Sequence, residues 1–88
     1  MISVQNIIQD LEGLIQELEQ SLDQASSFQE LEKIRVEYLG RKGRLAQVMS
    51  RLPELGKEER PLAGKKANEV KQKLFELFEE KKEAIEQE

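Results

Sequence analysis

Between residues 36 and 47 the chain reads VEYLGRKGRLAQ, which sets Arg41, Lys42 and Arg44 around Gly40 and Gly43. Three cations so close together suit one class of ligand above others, a polyanion. Lys and Arg neutralise phosphates, and the affinity that results falls with salt. The two glycines would let backbone and cations approach a phosphate closely. The run GRKG is no nucleotide-binding P-loop, since it lacks that motif's spacing and its Lys-Ser/Thr ending. A plainer reading stands beside the functional one: a solvated turn between two helices, because charge runs are usually solvent faces.

Other chemistries are closed off by composition. The chain has no His and no Cys, which excludes imidazole acid–base pairs, thiolate metal sites and disulfides. Its many Glu residues fall at helix-surface positions with no partner base, nucleophile or metal motif. No catalytic constellation is present, and no cofactor is expected to bind. The N-terminus lacks a basic stretch before an apolar core, so no secretory signal is visible. Apolar runs are only two or three residues long, too short to span a membrane. A cytoplasmic protein with no membrane or DNA partner is the expectation.

The charges are segregated. The formal net charge is −4, yet residues 1–32 hold seven acids and no Lys or Arg. Residues 33–73 hold twelve Lys or Arg against five acids, and residues 74–88 hold six acids against two Lys. Such segregation bears on partners even when the average is mildly acidic.

The elements that must carry these charges are helical. Eighty-eight residues make one small domain with a limited core. Val4, Ile8, Leu11, Ile15, Leu18 and Leu22 recur at helical spacing, with Ile7 and Leu14 widening the stripe, so a helix is expected over 3–23 with Ser3 as its cap. DQASS breaks it, and Ser27 with Glu30 has the spacing of a capping box for a second helix. Gly40 is placed to end that helix in a left-handed conformation. A third, short helix presents Leu45, Val48, Met49 and Leu52 before Pro53 stops it. Pro61 fits only a first helical turn, which starts a long fourth helix near 57–60, roughly 45 Å in length. Its seam runs Ala63, Ala67, Val70, Leu74, Leu77, Lys81, Ala84. Two long stripes need each other. The expected fold is all-α: an antiparallel helical hairpin, or coiled coil, with two short helices between the long ones. In that arrangement both termini and both acidic segments share the base, and the basic middle forms the distal tip.

Several residues carry two readings. Gly64 either packs tightly against a middle helix or admits an RNA backbone. Tyr38 is the only Tyr, either a core residue with its hydroxyl near the surface or a platform for a base. Arg60, Gly64, Asn68 and Lys71 share a strip that Phe75 and Phe78 continue. An uncovered Phe pair would mark docking to a larger body.

Two stretches go beyond pattern. VEYLGRKG (36–43) carries Tyr-Leu-Gly, a basic pair and Gly. LPELGKEERPLAGKKANEVK (52–71) carries Glu-Arg-Pro, Gly and Asn-Glu at 59–61, 64 and 68–69. Together they resemble the N-terminal domain of the bacterial phenylalanyl-tRNA synthetase alpha subunit, in order and helix layout over essentially the whole chain. Residues 1–25 match only as helix formers. The resemblance implies that residues 1–88 are a tRNA-binding helical arm of a longer chain, with the catalytic domain beyond it. It further implies an alpha2-beta2 parent that joins phenylalanine to tRNA(Phe) using ATP and magnesium, so the beta subunit and tRNA(Phe) are the expected partners. The basic residues of the matching stretches, Arg41, Lys42, Arg44, Lys57, Arg60, Lys65 and Lys66, become the tRNA-facing candidates, with Arg35 and Arg51 behind them. Arg60 has a second reading as a structural ion pair with Glu58 or Glu59. Gly40, Gly43, Pro61 and Gly64 are assigned to the fold. The competing hypothesis is a protein-interaction arm whose working surface is the seams and Phe75/Phe78.

Overall fold

A computed structural model describes residues 3–87, and every regular element among them is helical. The order is α1 (Val4–Gln24), α2 (Phe28–Leu39), α3 (Arg44–Met49), a 3₁₀ turn (Leu52–Glu54) and α4 (Arg60–Glu86). The expected all-α hairpin, with two short helices between two long ones, is what forms.

Local signals set the helix ends. Ser3 caps α1 by accepting the Asn6 amide at 3.2 Å. Ser27 caps α2 by accepting the Glu30 amide at 3.2 Å. Glu30 reaches back one residue further than a standard capping box, accepting the Ser26 amide at 2.9 Å. α3 closes earlier than expected, at Met49. There the Ser50 hydroxyl takes the Gln47 carbonyl, and the Arg51 amide bonds three residues back to Val48. The chain therefore tightens to 3₁₀ spacing before Pro53, which sits in the first turn of the 3₁₀ element, where a missing amide proton leaves no bond unmade.

The path of the chain differs from the expectation in direction. From the end of α1 the chain returns alongside it: Tyr38 meets Ser21, Arg44 meets Glu17, and Arg51 meets Asp10. α4 then starts at the far end and runs the same way as α1. Lys66 pairs with Glu12, while Leu77, Lys81 and Ala84 share a groove with Leu22 and Asp23. The antiparallel legs are thus α2–α3 and α4, and α1 lies parallel to α4. The physical reason is length. α2 and α3 are laid end to end as one broken helix, and their 12 and 6 residues traverse most of the rod instead of folding over one end of it. The rod measures 48 × 19 × 16 Å, close to the length of α4 itself.

This path relocates the charges. The tip consists of the 3₁₀ turn, Gly56 and the start of both α1 and α4. The opposite end gathers acidic residues of late α1 and late α4, including Glu19, Asp23 and Glu80. The N-terminal end of α1 is at the tip, so the termini do not share a base. The GRKG segment lies part-way along the rod, at the level of Glu17, and not at its distal end.

The core runs the length of the rod as Ile7, Leu11, Leu14, Leu18 and Leu22 of α1 against Ala63, Ala67, Val70, Leu74 and Phe78 of α4, closed by Leu31, Ile34, Tyr38, Leu45, Val48 and Leu55. Ile7 and Leu14 are buried where Ile8 and Ile15 were expected to lead, and Phe78 is buried where Leu77 was. Both sets follow the 3.6-residue turn of a straight helix, which drifts away from a strict heptad stripe. Ala63 and Ala67, both essentially inaccessible, keep the neighbouring helices close near the tip.

Candidate nucleic-acid interface

The basic corner is fixed by sterics. Gly40 ends α2 with φ −72° and ψ 172°, and no described residue has positive φ. The left-handed helix end expected there is absent. Glycine is needed for space instead. A Cβ on Gly40 would lie 2.5 Å from the Val36 carbonyl oxygen, and one on Gly43 would lie 2.8 Å from that of Glu37. Both obstacles are backbone atoms, which cannot swing aside. The Gly40 amide donates to Val36 at 3.2 Å and the Gly43 amide to Gly40 at 3.0 Å. The Gln47 side-chain amide then donates to the Lys42 carbonyl at 3.1 Å. The corner is thereby tied at both ends, and it presents Arg41 and Lys42 to solvent.

The candidate cations divide into two groups. Arg44 bridges three helices: it is hydrogen-bonded to Glu17 of α1, lies 3.6 Å from a Glu37 oxygen of α2, and stands over the Tyr38 ring at 5.3 Å. The Glu17 hydrogen bond and charge, helped by Tyr38 and Glu37, hold its guanidinium even more firmly protonated than usual. Arg51 pairs with Asp10, and Lys66 pairs with Glu12 at 3.2 Å. Arg35 pairs with Glu32 within α2, and that hydrogen bond keeps the Glu32 carboxyl below the usual carboxylate range. Arg60 serves the fold, though without the expected ion pair: it donates to the Leu55 carbonyl at 3.1 Å and the Pro53 carbonyl at 2.8 Å, which staples the tip. Arg41, Lys42, Lys57 and Lys65 are exposed and form no ion pair among the described residues. The structure adds Lys33, Lys71 and Lys73 to this second group. Their only sequence signal is that they fall off the buried stripes.

The two-reading residues also resolve in part. Tyr38 is buried, with its hydroxyl 3.4 Å from that of Ser21, which makes it a core residue. Gly64 is not packed against a middle helix: a Cβ there would meet nothing within 4 Å. Phe78 is buried, whereas Phe75 is 42% exposed, so the pair splits between core and surface. No group of three or more potential metal ligands gathers among the described residues. Likewise, no described helix is long and apolar enough to cross a membrane.

The family described as the N-terminal domain of class II aminoacyl-tRNA synthetases matches residues 26–88, which takes in α2, α3 and α4. The chain is 58% identical over 82 residues to a phenylalanine–tRNA ligase alpha subunit of Nitratidesulfovibrio vulgaris (strain DP4), covering 93% of the chain and 24% of that protein. It is 46% identical over 77 residues to the alpha subunit of Lawsonia intracellularis, covering 88% and 22%. It is 45% identical over 78 residues to that of Thermotoga neapolitana, covering 89% and 24%. The chain spans about a quarter of the length of these curated relatives. No solved structure matches it. By this family match and these identities, the chain belongs to the N-terminal domain family of class II aminoacyl-tRNA synthetases, in the form carried by phenylalanine–tRNA ligase alpha subunits.

Proposed function

We propose that the chain is a tRNA-binding arm that positions tRNA(Phe), through phosphate and sugar contacts, for aminoacylation by a complete phenylalanine–tRNA ligase. The observation that carries this reading is the corner itself: Arg41 and Lys42 are exposed and unpaired, on a backbone turn fixed by two sterically required glycines. Lys57 and Lys65 add free positive charge nearer the tip. Arg44, Arg60 and Lys66 already have protein partners, so they are secondary candidates. Contacts of this type set register and orientation without reading sequence, which leaves identity to other parts of the enzyme.

The parent in this reading is a cytoplasmic alpha2-beta2 ligase, and the beta subunit is the arm's protein partner. ATP and magnesium would serve adenylate formation in the parent's catalytic domain. The residues of this chain do not suit that task, because the corner amides of Gly40 and Gly43 are committed to Val36 and Gly40 carbonyls and no carboxylate cluster stands beside them. Binding and orientation are this chain's share. In the complete ligase, replacing Arg41 and Lys42 together by Ala is expected to raise KM for tRNA(Phe) while adenylate formation is unchanged. Unaltered tRNA kinetics at both low and physiological salt would contradict the reading.

A further inference from the structure

All three ion pairs that α1 forms among the described residues point the same way. Its Asp10, Glu12 and Glu17 each take a cation of the hairpin that α1 lies against: Arg51, Lys66 and Arg44. α1 carries five acids and no Lys or Arg. The three cations are only partly covered, from 31% exposed at Lys66 to 44% at Arg44, so phosphate could reach them if the acids were absent. The family match begins at residue 26, after α1, so the hairpin is a recognisable unit without this helix.

We infer that α1 is a built-in charge screen: its acidic face occupies Arg44, Arg51 and Lys66 and so confines polyanion binding to the unpaired cations elsewhere on the rod. This rests on the tRNA-binding reading for its purpose, although the screening itself does not need tRNA. A rod with cations on every flank would take a polyanion in many orientations, and any polyanion would do. Specificity is a difference of affinities, and it improves when wrong modes are weakened. Each half-exposed ion pair contributes little to folding, typically at most about 1 kcal/mol. Stability is therefore a poor explanation for three of them. Hydrophobic burial of Ile7, Leu11 and Leu18 fixes α1 in place, and the acids ride on a helix that is already anchored.

The test compares two charge-matched variants of the protein. One is Asp10→Asn/Glu12→Gln/Glu17→Gln, which removes the screen. The other is Glu19→Gln/Asp23→Asn/Glu69→Gln, acids with no ion pair among the described residues. Both lose three negative charges, so long-range attraction changes equally. On immobilised heparin, the screen-removing variant is expected to elute at distinctly higher salt than the control. Its affinity for a non-cognate RNA at low salt should exceed the control's by about tenfold, the effect of releasing three pairs each worth up to about 1 kcal/mol. Its dependence of log affinity on log salt should steepen by about 2, as expected for three newly available cations. Co-elution of the two variants with equal salt slopes would overturn the screen. Single Glu17→Gln and Glu19→Gln variants repeat the comparison if either triple variant loses helicity. If the unaltered protein shows no salt-dependent binding of tRNA(Phe), the tRNA reading fails, whereas the heparin comparison still decides the screen.

Discussion

Two flanks of one rod carry similar numbers of cations and use them differently. On the flank facing α1, Arg44, Arg51 and Lys66 are matched one to one by acids 27, 41 and 54 positions away in sequence. At the α2–α3 corner and along α4, Arg41, Lys42, Lys57 and Lys65 have no such match. Composition alone would score the two sets alike. The difference teaches that a basic segment becomes a binding surface only where tertiary structure leaves it unneutralised.

The strongest way to break that contrast is to loosen α1. Leu18 is fully buried against the hairpin. Leu18→Ala should cost about 2–5 kcal/mol, as large-to-small core changes do. Calorimetry should show a melting temperature lowered by at least ~10 °C. The matched flank should lose its partners as α1 detaches, so heparin retention should rise under partly denaturing conditions.

A second change acts on the unmatched flank alone. Gly43→Ala pushes a Cβ into the Glu37 carbonyl, and overpacking of this kind costs about 1–3 kcal/mol. Chemical denaturation should register that loss. The same substitution should weaken tRNA binding by displacing Arg41 and Lys42, with the ion pairs of α1 left intact. A smaller effect is expected at the tip. Arg60→Ala leaves the Leu55 and Pro53 carbonyls without their donor, for about 1–2 kcal/mol at this partly exposed site. Arg60→Lys should recover only part, since a single ammonium replaces a two-armed fork.

The smallest expected effect has the opposite sign. Gly64→Ala meets open space within α4 and should stabilise the protein by up to about 1 kcal/mol through helix propensity. If the gain in melting temperature is accompanied by weaker tRNA binding, Gly64 joins the unmatched surface as a point of close backbone approach. Unchanged binding leaves it outside that surface.

Much of the fold could be read from the chain because its signals are local. Ser3 and Ser27 cap the helices expected of them, Pro61 marks the first turn of α4, and Ala63 to Leu74 form the buried seam. The direction of α1 could not be read. An amphipathic stripe states that a face is buried, and it carries no sign that distinguishes parallel from antiparallel packing. The role of Gly40 was legible as a requirement for glycine but not in its cause, because the obstructing Val36 carbonyl depends on the particular turn adopted. The sorting of the cations was illegible for the same reason. Whether Arg44 is free depends on Glu17 being beside it, and that follows from how α3 lies on α1.

The contrast between the flanks is tested most directly by the salt dependence of tRNA(Phe) binding for two double variants, Arg41→Ala/Lys42→Ala and Arg44→Ala/Arg51→Ala. Each removes two positive charges from the same protein. The first should flatten the slope of log affinity against log salt by about 1.5, as two lost phosphate contacts would, and the second should leave it nearly unchanged. A slope that flattens with the second variant and not the first would contradict the account.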